Sequence, residues 1–452
     1  MKMKTRLVPF AVVAALALVP LLRTHAAAGA GAAPPPHVYA IRNAKITTLA
    51  GPPVEHGTVV IRAGKIVAVG AAVKVPADAQ VIDGKGLEVY PGLFDAITDL
   101  GLTEVEAVGV TVDTTDVGTY NPQLVAMTAV HPASELIPVA RANGITHALA
   151  APLGGGGFRG GGEVISGQAS AINLAGWTIE EMLIRRSVAM VVNWPTMQTR
   201  TFDFATFNIR QRPFSEVKQD YDKRINELAD LMERARHYAQ VMEKGSVANY
   251  DRDLKLEALA PVVRGQLPLL VMAEGKREIR SAVEFCDKQK VKMILGGGVE
   301  SYKVKDLLAA KHIPVILGRT QELPRDEDAA YDQSYDTAGQ LSAAGVKIAF
   351  ASFNASFSRR LPYQAANCVP YGLPYEEALK AVTLYPAQIF GLADQLGTIE
   401  PGKMADIIVT DGDPLAIPTQ VRYLFINGEL TSTDNKHLRL YEEYRKRYEK
   451  PK

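Results

Sequence analysis

The side chains able to do chemistry in this chain are thinly spread, and their spacing excludes more reactions than it suggests. There are eight histidines. His37, His56, His131, His147, His237, His312 and His437 fall in sheet, loop or helix contexts with no shared register, and His25 lies in an apolar leader. A histidine metal site needs several imidazoles converging on one point, so each is read as a satisfied core or surface residue. Cys286 and Cys368 are the only cysteines, too few for a disulfide scaffold or a cysteine-rich metal site. An oxidising compartment would permit one bridge between them. Both sit in apolar helical patterns, however, and two buried free thiols are the expectation. Ser166, Ser356 and Ser358 have no adjacent histidine and no G-x-S-x-G elbow, which argues against a serine hydrolase.

What remains is a set of binding candidates. Pro152 to Glu163 is rich in glycine around Arg159. Successive amides free of side chains can form an anion-binding nest, and an arginine can clamp the anion. No Gly-Lys-Ser/Thr follows and no helix opens at once, so the run is not a nucleotide fingerprint. A loop without a ligand is the competing reading. Ser166 and Gln168 follow and are expected to line the same mouth. Tyr302, Lys303 and Arg319 fall just after expected strands. A lysine of lowered pKa would serve as base or nucleophile, and an arginine would hold a carboxylate. A surface lysine at a helix start is the competing reading of Lys303.

The elements that must position these residues follow from periodicity. Residues 1–33 read as a signal peptide, with Lys2, Lys4 and Arg6 before an apolar run from Phe10 to Leu22 and cleavage expected near Ala26 or Ala28. This places the mature chain as secreted or periplasmic, with no membrane span after cleavage. A net charge of +1 and no basic tract leave out nucleic acid as a partner. Residues 37–90 alternate apolar and polar positions in short runs, with a hairpin at Ala63-Gly64. The same texture returns over 396–434, so the two ends are expected to build one β-sandwich domain. Between them, 91–395 alternates short apolar strands with helices. The strand candidates are 145–150, 189–192, 269–272, 292–295, 314–317 and 346–350, with one before Asp95 and one unplaced. Parallel strands joined by crossover helices predict an α/β fold, a (β/α)8 TIM-like barrel, with a doubly wound open sheet as the competitor. On this reading residues 152–163 leave the third strand. Residues 215–260 and the C-terminal segment 435–452 are highly charged helices, read as solvated faces.

Two stretches carry a resemblance. Tyr90-Pro91-Gly92-Leu93-Phe94-Asp95-Ala96-Ile97-Thr98-Asp99 resembles the end of the first barrel strand in the amidohydrolase superfamily. Ala378 to Thr383, Pro386-Ala387 and Leu396 to Asp406 resemble the helix and turn that lead the chain back out of the barrel in its imidazolonepropionase-like members. The resemblance implies a barrel, one or two divalent metals such as zinc, and hydrolysis of a carbon–nitrogen bond in a cyclic amide or dipeptide-like substrate.

The ligand positions that the resemblance implies hold other residues. Ile97 and Asp99 stand where two histidines are expected, and only Asp99 can ligate. The fourth strand ends at Asn193, without lysine or glutamate. Met272 stands at the histidine of strand 5, Gly297 at that of strand 6, and Phe353, beside Asn354, at the aspartate of strand 8. A thioether is a poor ligand for zinc or manganese. The expectation is therefore an amidohydrolase-fold protein with a degenerate metal site. It would be either a hydrolase with an altered site or a non-catalytic homologue that binds a small ligand, forms a homo-oligomer or pairs with an active relative.

Overall fold

A computed structural model describes residues 37–154, 162–203, 208–245, 251–324 and 329–449. The expected signal peptide and Arg159 lie outside the described residues.

The middle of the chain forms one sheet of eight strands, hydrogen-bonded in chain order. They are β1 (Leu93–Thr98), β2 (Ile145–Ala150), β3 (Ile165–Asn173), β4 (Leu183–Asn193), β5 (Leu269–Ala273), β6 (Met293–Gly297), β7 (Val315–Gly318) and β8 (Ile348–Ala351). Every residue of β1, β2, β3 and β8 is buried, as strands covered on both faces require. The expected strands therefore form, but the uniformly parallel arrangement is corrected. β3 runs antiparallel to both neighbours, and it is the strand that periodicity could not place. Its polar side chains hid it. Ser166 Oγ donates to Pro152 O at 2.5 Å, Gln168 Nε2 to Pro122 O at 2.8 Å and Ser170 Oγ to Arg186 O at 2.7 Å. Those bonds make burial tolerable, while Ala169 and Ala171 fill the interior. The glycine-rich run accordingly leaves the second strand, not the third.

The two edges of the sheet meet, as those of an open sheet would not. Phe353 N–H donates to Ile97 O at 2.9 Å, and Ser352 reaches Asp95. At the other end of the same seam, Phe94 and Phe350 donate to Val382 O and Ala381 O. Phe94, Ile97, Leu149, Val191, Leu270, Ile294, Ile316 and Ala349 share the interior cluster. Helix Lys276–Gln289 buries Ile279, Ala282, Val283 and Cys286 in the shell outside. Gly92 has a packing reason: a Cβ there would lie 2.0 Å from Thr146 Oγ1, so β1 can approach β2 only without a side chain.

Strands from both ends of the chain share a second sheet, also of eight strands. Its path runs from Glu429–Thr431 through Val421–Ile426, Ile407–Thr410, Glu88–Pro91, Val38–Ile46 and Val54–Arg62 to Lys65–Gly70. Gln80–Asp83 pairs beside Val38–Ile46. The expected hairpin turns at Ala63 (φ 51°) and Gly64 (φ 79°), the twist that a tight two-residue hairpin needs. His147 of β2 bonds Asp406, just before Ile407–Thr410, at 2.9 Å with both side chains buried. Asp406 also accepts the Asn427 amide at 2.6 Å.

The long charged segment is only partly a solvated face. Helix Phe214–Glu243 buries Val217, Leu228, Met232, Ala235, Tyr238 and Ala239, and Leu254–Val263 buries Leu256, Leu259, Ala260 and Val262. The C-terminal helix Lys436–Lys446 buries no residue. Cys286 and Cys368 are free and buried, and burial pushes each thiol up to about 12. No described helix is long and apolar enough to cross a membrane.

Candidate functional site

A cleft of about 490 Å³ opens where the parallel strands end. In a closed barrel this is the face on which strand-end residues and loops build sites. Strand ends supply Asn193 at the end of β4, Met272 from β5 and Glu274 just after it, Gly297 from β6, Gly318 from β7 and Arg319 just after it, and Phe353 after β8. Gln333 and Thr337 reach the same space from helix Gln333–Ala343.

The floor is apolar. A Cβ at Gly296 would lie 2.6 Å from Met272 Sδ and 3.1 Å from Ile97 Cδ1, so these two side chains meet over a glycine that makes room for them. Phe353 sits at φ 55° and Arg319 at φ 59°. Bulky residues rarely adopt this left-handed region, and each costs about 1–3 kcal/mol. Both are held in place. Phe353 N–H bonds Ile97 O, and the ring lies against Gly318, where a Cβ would stand 2.4 Å from it. Arg319 N–H donates to Oε1 of the buried Gln364 at 2.7 Å, and Thr320 Oγ1 donates to Gln364 O at 3.1 Å. The Arg319 side chain stays 60% exposed, 3.8 Å from Glu322, which lines the same cleft. Glu274 is fixed by the Val299 amide, which donates to Oε2 at 3.1 Å. Gly297 leaves it space, since a Cβ there would come 2.5 Å from Glu274 Oε1.

Other sequence candidates lie elsewhere. Asp99 is buried, not in the cleft, and its Oδ1 accepts the Ala355 amide at 2.5 Å. Burial raises its carboxyl pKa against that bond. Asn354 turns its Oδ1 to the Ser356 amide and its Nδ2 to Glu106, capping the turn after β8. Ser166 and Gln168 spend their polar atoms on backbone carbonyls, with Ser187 Oγ donating to Gln168 Oε1. Gln168 thus points to the outside of the barrel. Tyr302 and Lys303 do not line the cleft. Lys303 pairs with Glu300 at 2.5 Å, which raises its pKa, the reverse of what a base or nucleophile needs.

Two polar groups escaped sequence reasoning. Gln364, which braces Arg319, carries no local signal. Asp95, Ser352, Thr98 and Ser358 form a buried network across the β1–β8 seam. Ser352 N–H and Oγ donate to the two Asp95 oxygens at 2.8 and 2.6 Å, and Thr98 and Ser358 lie within 3.2 Å of Ser352 Oγ. Burial outweighs these bonds and pushes the Asp95 carboxyl up to about 7. Asp95 would have drawn notice as the one ionisable side chain in a fully buried, mostly apolar strand.

The donor set does not suit the divalent metal that the family resemblance implies. Among the described residues no three His, Cys, Asp or Glu side chains come together to hold an ion. The positions facing the barrel centre present Ile97, Met272 and Phe353. Apolar floor, exposed guanidinium and fixed carboxylate together can hold a small organic molecule by shape and one or two polar groups.

Comparison with known proteins gives a consistent picture. A family profile described as the amidohydrolase family matches residues 270–433. An "Amidohydrolase tasK" of Hapsidospora irregularis is 24% identical over 413 residues, which is 82% of this chain and 39% of that protein. An imidazolonepropionase of Erwinia tasmaniensis is 43% identical over 63 residues, 14% of this chain and 15% of the enzyme. The chain thus spans well under half the length of these curated relatives in the matched regions. The crystal structure of an amidohydrolase from Thermotoga maritima superposes with a TM-score of 0.72 at 26% identity, over 87% of this chain and 99% of that one.

Proposed function

We propose, on the premise that this chain belongs to the amidohydrolase superfamily, that its barrel mouth binds a small organic molecule without a catalytic metal. One observation carries the reading: the strand ends that the resemblance marks as ligand positions present Ile97, Met272 and Phe353 to the barrel centre, while the cleft above them stays open. No step of metal-activated hydrolysis can be built on a thioether, an alkyl group and a phenyl ring. Arg319, Glu274 and Asn193 are the polar groups that orient the ligand, and Met272 and Phe353 take its apolar part.

Elemental mass spectrometry on protein purified without chelator or nickel affinity tests this directly. The expected content is far below one zinc, manganese or iron per chain, with no gain in hydrolysis of N-acyl amino acids or dipeptides on adding metal. Near-stoichiometric metal, lost together with hydrolysis on chelation, would overturn the reading.

A hydrolase with an altered site is the second reading, and Glu274 favours it as the carboxylate fixed at a strand end inside the cleft. Metal-independent hydrolysis abolished by Glu274→Gln, with ligand binding retained, would select it. The same proposal takes residues 37–90 and 396–434 as a β-sandwich domain around a barrel of 91–395. It also takes residues 1–33 as a signal peptide that exports the chain, which N-terminal sequencing of the exported protein would reveal as a shortened start.

A further inference from the structure

A second cavity, of about 640 Å³, opens at the opposite end of the barrel, where the strands begin. Its inner wall is apolar, with Ile294 and Phe390 facing the space. Its rim is basic. Arg185 near the start of β4, Lys292 immediately before β6 and Lys311 shortly before β7 bring three cations to one opening. Among the described residues lining it, Asp287 is the single carboxylate, and it pairs with Lys311 at 2.6 Å. The chain as a whole is nearly neutral, at +1, so this concentration of cations is local.

The groups are also prepared for a ligand. Arg185 Nη1 donates to Gly391 O at 2.9 Å, which fixes the guanidinium and leaves its other N–H groups available. Lys292 is exposed and makes no ion pair with a described residue. Two cations over an apolar wall match an anionic head on a carbon body, since a charge-assisted bond orients the head and burial holds the body.

We propose that this basal cavity binds a small organic oxyanion, with a carboxylate or phosphate group held by Arg185 and Lys292 and a carbon body against Ile294 and Phe390. The site shares no lining residue with the cleft at the barrel mouth, so it stands or falls independently of the function proposed for that cleft.

Phenyl phosphate and benzoate, titrated into the full chain by calorimetry at constant ionic strength, test the proposal, with phenol as the neutral control. At least one of the two anions binds saturably and phenol does not. Lys292→Gln and Arg185→Gln each weaken binding by about tenfold or more, the usual consequence of losing a hydrogen bond to a charged group. Because Arg185 also braces Gly391, the deciding variant is Lys292→Gln, which removes an exposed side chain that forms no ion pair with a described residue. Lys223→Gln, on the exposed face of helix Phe214–Glu243 and away from both cavities, leaves the affinity unchanged. Absence of saturable binding by both anions, equal affinity in Lys292→Gln and wild type, or loss of binding in Lys223→Gln would each overturn the site.

Discussion

Replacing Asp95 by asparagine should flatten the pH dependence of stability, and the size of the effect follows from the seam between β1 and β8. The native carboxyl is raised to about 7 by complete burial, against an ordinary value of 3.8. Below about pH 4 native and unfolded chains both carry the proton, and the raised pKa costs nothing. Between about pH 4 and 7 the unfolded chain releases the proton while the native chain keeps it, so stability falls as pH rises. Above that window both forms are ionised and the slope vanishes. A gap of about 3 units at 1.36 kcal/mol each is a loss of about 4 kcal/mol. Asparagine keeps an acceptor for the Ser352 amide and offers a donor to Ser352 Oγ, which can turn its own proton to Thr98 or Ser358. Urea unfolding of wild type and Asp95→Asn across this range should therefore show the wild type losing ground steadily as pH rises to neutrality. Curves that stay parallel would refute the argument that burial outweighs the serine bonds.

Three further outcomes follow from single contacts. Asp406→Ala strands both the His147 ring and the Asn427 amide and should cost about 2–5 kcal/mol in urea unfolding, the sum of two buried groups left unsatisfied; Asp406→Asn, which still accepts from Asn427, should cost clearly less. Gly92→Ala forces a methyl group into Thr146 and should lower stability by about 1–3 kcal/mol, with partial recovery in a Thr146→Ala background by thermal melting. Cys286 and Cys368, buried and with raised pKa, should resist an aromatic disulfide reagent in the native chain and both react once it is unfolded; rapid native labelling of Cys368 would contradict its burial.

The barrel was legible wherever a strand is a run of apolar residues. Leu269–Ala273 and Val315–Gly318 announce themselves because, apart from Met272 and Gly318 at the cleft, every residue is apolar and buried. β3 did not, because Ser166, Gln168 and Ser170 are satisfied by carbonyls far away in sequence, a fact no local window contains. The same division runs through the site. Met272, Gly297, Arg319 and Phe353 meet at the mouth because a strand end fixes position along the barrel axis. Direction is set by partners, and Asp99 and Asn354 sit at the ends of β1 and β8 yet both turn to backbone amides of the turn after β8. Gln333 and Thr337 come from a helix whose placement depends on the whole shell.

The mouth explains how a barrel can keep its cleft with an apolar centre. Several carboxylates facing one another at this depth would repel unless a cation neutralised them. Ile97 and Met272 fill the centre over Gly296 instead, so packing holds the floor. Packing alone would also favour closing the cleft, and the backbone prevents it. The left-handed turn at Phe353 lays the ring along Gly318, and the matching turn at Arg319, braced by Gln364, leaves the guanidinium exposed at the edge. Two costly backbone conformations at adjacent strand ends are hard to account for if the mouth served only as core. They are accounted for if the open space itself is what the fold maintains, with polarity moved from the barrel centre to Arg319 and Glu274 at its rim.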